Sequence, residues 1–371
     1  LSRDTAALEA LDELSLKAEF PQIRNGAVAA LQSAADERGL SLEELLDELV
    51  PALGFSAQGV RVFDYGRRRL IVRLDAALEL SFETEAGKTV KNLPSPGKTD
   101  DPEKAAASYE AYKGLKKKIR AVVARQRSRL RAAFASGRCW NAETWQRLFV
   151  HNPLMRPFVL SLIWGTYEDG RLVTAFRYME DGSFTTVEEE EYTLPEGARV
   201  GLAHPVELGE EACAAWKRQL ADYEIIPAFP QLSRHAYPLP EGIGACRRLE
   251  TFGGKILNGR SLSNRLRGMG WSRGETDEDG EYNCFYREEP AQGLGIVLRI
   301  SGNSIWDEDE TVTVYDGAFY RTGGAGKPGE PEEDRILALG QLPARYYSEA
   351  IYQLTRAPAP SIETDPDWKD R

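Results

Sequence analysis

Residues 111–138 read AYKGLKKKIRAVVARQRSRLRAAFASGR, and this stretch decides how the chain is organised. It holds ten lysines and arginines and no aspartate or glutamate. Tyr112, Leu115, Ile119, Val122, Leu130 and Ala133 recur at helical spacing and form one apolar face, with Gln126 in the middle of the stripe. Lys113, Lys116, Arg120, Arg127 and Arg131 line one flank of that face, and Lys118, Arg125 and Arg129 line the other. The pattern predicts a single long helix over about 103–137, docked by its apolar side.

Like charges four residues apart repel by a few tenths of a kcal/mol per pair, so such a helix calls for negative partners. The chain has acidic runs at 188–191, 277–279, 307–310 and 332–334 that can face it. On that reading the helix is an internal brace or a plain solvated surface. The other reading makes Lys113, Lys116, Arg120, Arg127 and Arg131 a phosphate-tracking surface for nucleic acid or another anionic ligand. A membrane-surface helix fits less well, because no bulky Trp or Phe stands in the stripe before Phe134.

Outward from this helix the chain changes character on both sides. Residues 1–52 carry helical periodicity through Leu8, Leu11 and Leu14 and again through Ile23, Val28 and Leu31. Ser41 with Glu44 is a capping box, and Pro51 closes the segment. Helices of this length fit either the end of an α-solenoid or an ordinary bundle. Residues 53–102 alternate apolar and polar, with turn signals at Asp64-Tyr65-Gly66 and Ala86-Gly87, and read as a small antiparallel β unit and linker. Residues 103–165 form the helical segment around the basic helix. Residues 166–356 read as a mixed region of strands and short helices, with turns at Asp169-Gly170 and Asp181-Gly182, and residues 357–371 as a mobile acidic tail. The fold class expected is α+β.

Composition sets the outer limits. The chain has 371 residues, 42% of them hydrophobic, enough for a sizeable core. The longest apolar run, FVLSLIWG at 158–165, is far short of the roughly 20 residues a membrane span needs. The net charge of −11 disfavours non-specific nucleic-acid binding by the molecule as a whole but leaves a local basic patch open. The opening at Leu1, already in helical register and without a charged-then-apolar leader, predicts a piece of a longer protein. Cys139, Cys213, Cys246 and Cys284 form no C-x-x-C pair and read as buried thiols of a reducing, cytoplasmic compartment.

Familiar catalytic patterns fail their own requirements. Gly323-Gly324-Ala325-Gly326-Lys327 is followed by Pro328 where a phosphate loop needs Ser or Thr. Gly242-Ile243-Gly244 lacks the third glycine of a dinucleotide fingerprint. His151, His204 and His235 stand apart with no ligand spacing, so neither a metal nor a cofactor is expected. One polar constellation stays open: Arg177, Asp181, His204, Asp222, Glu224, Gln231 and Arg234 sit in short motifs among Pro, Phe and Trp. These residues either brace loop backbone or line a pocket, in which His204 is the natural proton carrier beside Arg177, Asp222 and Arg234.

The motifs RLRAAF and RCW, LFVHNPL, LIWG, TAFRYMEDGSF, VGLAHPVEL, ADYEIIPAFPQLSR and GMGW together resemble the bacterial domain of unknown function 4132, found C-terminally in molybdate-metabolism-regulator-like proteins. DTAALEALDELSLKAEFPQIRNGAVAAL, LVPALGF, DYGRRR and KNLPSPGKTDD extend the resemblance over nearly the whole chain. It implies a module set behind helical repeats and a nucleic-acid-associated WGR domain. It supplies no catalytic residues, and Tyr65-Gly66-Arg67 reads as a hairpin turn rather than a WGR signature. The reading that leads is a non-enzymatic interaction or regulatory module of a larger cytosolic protein. Its partners would be nucleic acid or another anion at 111–138 and the upstream domains of the same protein, with no membrane. An enzyme pocket around His204, Arg177, Asp222 and Arg234, and a pure scaffold, are the alternatives.

Overall fold

The computed structural model describes residues 4–75, 78–323, 329–361 and 363–370. The Gly-rich stretch 324–327 weighed above as a phosphate loop lies outside them. The fold is α+β, with helices set against antiparallel sheets.

Three helices open the chain: α1 (Thr5–Lys17), α2 (Pro21–Asp36) and α3 (Leu42–Glu48). Asp4 caps α1, and the Ser41/Glu44 capping box starts α3 as its spacing predicts. Leu8, Leu31, Ala34, Ala35, Leu45 and Leu49 close a small apolar cluster of their own between them.

A four-stranded antiparallel meander follows: β1 (Val60–Asp64), β2 (Arg69–Leu74), β3 (Leu80–Thr84) and β4 (Thr89–Val90). The expected single helix over 103–137 is instead two, α4 (Pro102–Tyr112) and α5 (Leu115–Ser136). They break at Gly114, whose φ of 76° a residue with a Cβ tolerates poorly. This correction takes Lys113 out of the basic helix; it caps α4 and pairs with Glu110 in the same turn. Gly137, also left-handed, ends α5.

The second sheet is ordered β5-β9-β6-β7-β8 from β5 (Cys139–Asn141), β6 (Trp164–Glu168), β7 (Arg171–Tyr178), β8 (Phe184–Thr185) and β9 (Arg199–Leu202). Two short helices, α6 (Ala142–Trp145) and α7 (Arg156–Ser161), lie between β5 and β6, and α8 (Pro205–Asp222) follows β9 with a kink at Gly209. The meander, the apolar stripe of α5 and this sheet share one core, rich in Trp140, Trp145, Phe149, Phe158, Trp164 and Phe176.

The third sheet has six strands in the order β11-β12-β13-β14-β10-β15: β10 (Lys255–Asn258), β11 (Ser272–Arg273), β12 (Glu281–Glu289), β13 (Leu294–Ser304), β14 (Thr311–Arg321) and β15 (Glu363–Thr364). It carries α9 (Gly259–Gly268) and α10 (Ala344–Arg356), which supply Leu262, Leu266, Tyr347, Ile351 and Leu354 to a second core. The tail, expected to be mobile, has β15 paired antiparallel to β10, Asp365 buried and Trp368 packed over Gly253. Its prolines ended the helical pattern without preventing a short edge strand from adding to the sheet.

α10 is buried on both sides. One face joins the second core. The other presents Arg345, Ser348, Glu349 and Gln353 to α5, α8 and the loops between the two cores. That seam positions most of the polar residues singled out from the sequence.

Candidate functional site

The two flanks of α5 end in different surroundings. Leu115, Ile119, Val122, Val123, Gln126, Leu130, Ala133 and Phe134 are buried, as the stripe predicts. On one flank the N-terminal helices bring carboxylates onto the arginines. Arg125 donates to Asp12, itself 7% exposed. Arg129 donates to Asp47 at 3.0 Å and to the Leu46 and Glu43 carbonyls. Asp47 also accepts from Arg138 and from Trp140 Nε1, both at 2.7 Å. Lys17 lowers the pKa of Glu13 through its hydrogen bond and charge, and Arg125 and Lys118 add to that from α5. Burial pushes the Arg129 guanidinium down, against the pull of Asp47 and Asp12.

Two of the acidic runs that could face the helix, 307–310 and 332–334, pair elsewhere. Glu308 and Asp309 pair with Arg273 and Arg260, and Glu333 pairs with Arg248. The covering acids are Asp12 and Asp47, single carboxylates within helical patterns that nothing in the sequence marked.

On the other flank Lys116, Arg120, Arg127 and Arg131 are exposed, as is Lys117 beside them. Among the described residues none of these five has a hydrogen bond or an ion pair. Lys116, Arg120, Arg127 and Arg131 fall within about 60° of the helix circumference at 100° per residue, and at 1.5 Å per residue they span about 22 Å of its length. The result is a straight cationic stripe on a helix whose opposite side is anchored in the core.

The polar constellation divides. His204 is fully buried at the N-cap of α8, stacked on Phe134 at 4.7 Å between ring centroids. Its Nδ1 accepts from the Val206 amide at 3.2 Å, so the proton sits on Nε2 and faces Glu349 Oε1 at 3.1 Å. Burial holds the imidazole below its ordinary pKa even beside Glu349. Arg234 reaches the same carboxylate with Nε at 2.8 Å and stacks over Tyr352. Burial raises the pKa of Glu349, but His204 and Arg234 outweigh it and bring the carboxyl to about 2. Next to them Arg345, 4% exposed, joins Glu207, Tyr167 Oη and the Leu202 and Phe134 carbonyls.

Arg177 and Asp222 lie apart from this seam. Arg177 donates to Gln219 Oε1 at 3.1 Å, stacks on Tyr223 and leaves one terminal nitrogen buried without a partner. Asp222 is exposed at the end of α8. Asp181 caps the Asp181-Gly182 turn through Ser183, Glu224 is exposed, and Gln231 spans the Ile163 and Ala203 backbone. The structure thus brings His204 and Arg234 together on Glu349, a residue the sequence reading passed over within an amphipathic helix. His204 has both ring nitrogens engaged and no exposed surface.

The cysteines differ from one another: Cys213 and Cys284 are buried, Cys139 is half-buried and Cys246 is exposed, which corrects the expectation of four buried thiols. Among the described residues no group of three or more His, Cys, Asp or Glu is placed to hold a metal ion, and no helix is long and apolar enough to cross a membrane.

Residues 87–271 match the family model of a domain of unknown function, DUF4132. The chain is 34% identical over 297 residues to an uncharacterized protein of Escherichia coli strain K12, YehI. That match covers 78% of this chain and 24% of YehI, so the chain spans about a quarter of that relative's length. No solved structure matches the chain.

Proposed function

We propose that this chain is an interaction module of a larger, cytosolic bacterial protein of the molybdate-metabolism-regulator-like group, and that its outward stripe on α5 binds a polyanion, nucleic acid first. The observation that carries this reading is the exposed row of Lys116, Arg120, Arg127 and Arg131, without partners among the described residues, in a chain whose net charge is −11. A cation on a rigid helix, free of intramolecular carboxylates, gains most from a phosphate, because binding releases condensed counterions at little ordering cost. The stripe carries no tryptophan, tyrosine or phenylalanine between Lys116 and Arg131, so base stacking adds nothing there and binding is indifferent to sequence.

The test is fluorescence anisotropy with labelled duplex and single-stranded oligonucleotides over a salt titration. Binding is expected in the range of about 10⁻⁴ to 10⁻⁶ M at physiological salt and tighter at low salt, its logarithm falling linearly with the logarithm of salt concentration. Arg120→Glu, Arg127→Glu and Arg131→Glu together should weaken binding equally for unrelated sequences and flatten the salt slope by about 3. Absence of binding at about 20–50 mM salt, where the Debye length lies between about 10 and 30 Å and screening is weak, ends the nucleic-acid reading.

A further inference from the structure

The flank of α5 that faces the N-terminal helices is cationic too. Arg125 and Arg129 continue along α5, and Arg138, Arg147 and Arg199 carry the charge past its end to the residue before β5, the helix after α6 and β9. Each of these except Arg199 is met by a carboxylate from one unit, residues 4–49. Asp12 takes Arg125, Asp47 takes Arg129 and Arg138, and Glu48 takes Arg147 in a two-pronged pair with one contact of 2.9 Å. Glu44 lies within the field of Arg138 and Arg199, which help lower its pKa after its own bonds to Ser41.

Three features distinguish this unit from the elements of the main body. Its apolar cluster is separate from both large cores. A cleft of about 1140 Å³ lies against it, lined among others by Glu44, Asp47, Arg138, Arg199, Arg345 and Tyr346. The connector after it, 50–54, places Leu53 at φ 49° and Gly54 at φ 78°, both in the left-handed region. For leucine that conformation costs of order 1 kcal/mol or more, a strain held in place by the packing of Val50 and Leu53 against the first core. The unit is held by paired charge over a cleft and tethered at a strained joint.

We infer that residues 4–49 form an electrostatic clasp whose carboxylates stand in for phosphates, masking a second cationic surface, Arg125, Arg129, Arg138 and Arg147, that a polyanion reaches when the clasp swings open. For its ligand the proposal rests on the reading of the outward stripe; the opening itself does not. An anion engaged on the outward stripe competes for the masked arginines, and each carboxylate displaced frees one more phosphate contact. The site is then larger than the resting molecule presents.

Two measurements on the full chain test this. Without ligand, hydrogen exchange at 50 and 500 mM NaCl should show amides of 5–49 losing protection as salt rises, while those of β13 and α10 hold theirs. With a labelled single-stranded oligonucleotide, the Asp12→Asn, Glu48→Gln variant should bind severalfold more tightly than the unaltered chain. Its salt slope should steepen by about 1.4, two contacts at about 0.7 each. Salt-independent protection of 5–49 overturns the clasp whether or not any oligonucleotide binds. Unchanged affinity and slope in the variant, in a protein that does bind, also overturns it. Salt-dependent opening with no oligonucleotide bound by either protein supports the clasp and removes the nucleic-acid reading instead.

Discussion

Arg131 of α5 and Arg345, which bonds the same helix one turn further on, live in opposite surroundings. Arg131 projects from the helix into solvent without a partner among the described residues. Arg345, from α10, donates to the carbonyl of Phe134, three residues further on, and spends its remaining donors on Glu207, Tyr167 and Leu202. Burial disfavours its charge, yet the partners outweigh that and raise its pKa. A guanidinium out of water is tolerable only when carboxylate and carbonyl oxygens replace its hydration, and this protein supplies them completely in the seam and not at all on the stripe. The same residue type is therefore a brace in one place and a recognition surface in the other, and the difference lies in which partners the fold delivers.

The largest expected effect tests the brace. Arg345→Leu strands Glu207 beside Tyr167 and takes a donor from the Phe134 and Leu202 carbonyls, the second of which keeps Tyr167 Oη, and should cost about 3–5 kcal/mol in urea denaturation. A loss under about 1 kcal/mol would erase the contrast with Arg131.

Acid should act on the same seam. Glu349 has its carboxyl lowered to about 2 in the folded protein, below its unfolded value, so its contribution is present above the ordinary carboxylate range and is lost as pH falls from there toward 2. The size of that loss is on the order of 3 kcal/mol. His204, also lowered, is held neutral, so the unfolded state takes up a proton first and stability begins to fall as pH drops below the usual histidine value near 6.5. Denaturation curves between pH 7 and 3 check both signs, and Glu349→Gln should remove most of the lower step.

A smaller effect belongs to the covered flank. Arg125→Ala should lose about 1.5 kcal/mol, because Asp12 is left nearly buried without its donor. The smallest belongs to the stripe: Arg120→Ala and Arg131→Ala should stay within about 0.5 kcal/mol of the unaltered chain in thermal melts while weakening oligonucleotide binding. A marked fall in stability on either would show that the stripe is structural.

Much of this was legible residue by residue, wherever the controlling interaction is short in sequence. The apolar period of α5, the Ser41/Glu44 cap, the turns at Asp169-Gly170 and Asp181-Gly182 and the mixed α+β character all depend on neighbours within a few positions. Gly114 was visible as well, but a lone glycine in a helical pattern leaves open whether the helix bends or breaks; the docking of α4 against the meander settled it. The pairing of the tail to β10 was not legible, because it spans more than a hundred residues.

What the sequence determined by itself is the amphiphilic rod: its buried stripe, its cationic sides and its place in an anionic chain follow from the helical period alone. Which of those sides meets solvent was decided only by tertiary structure. Asp12, Asp47, Glu207 and Glu349 reach their arginines across sequence separations from 82 to 138 residues, and nothing local distinguishes them from carboxylates on a wetted helix face. Charge is written in the chain, but its neutralisation is a property of how distant segments come together.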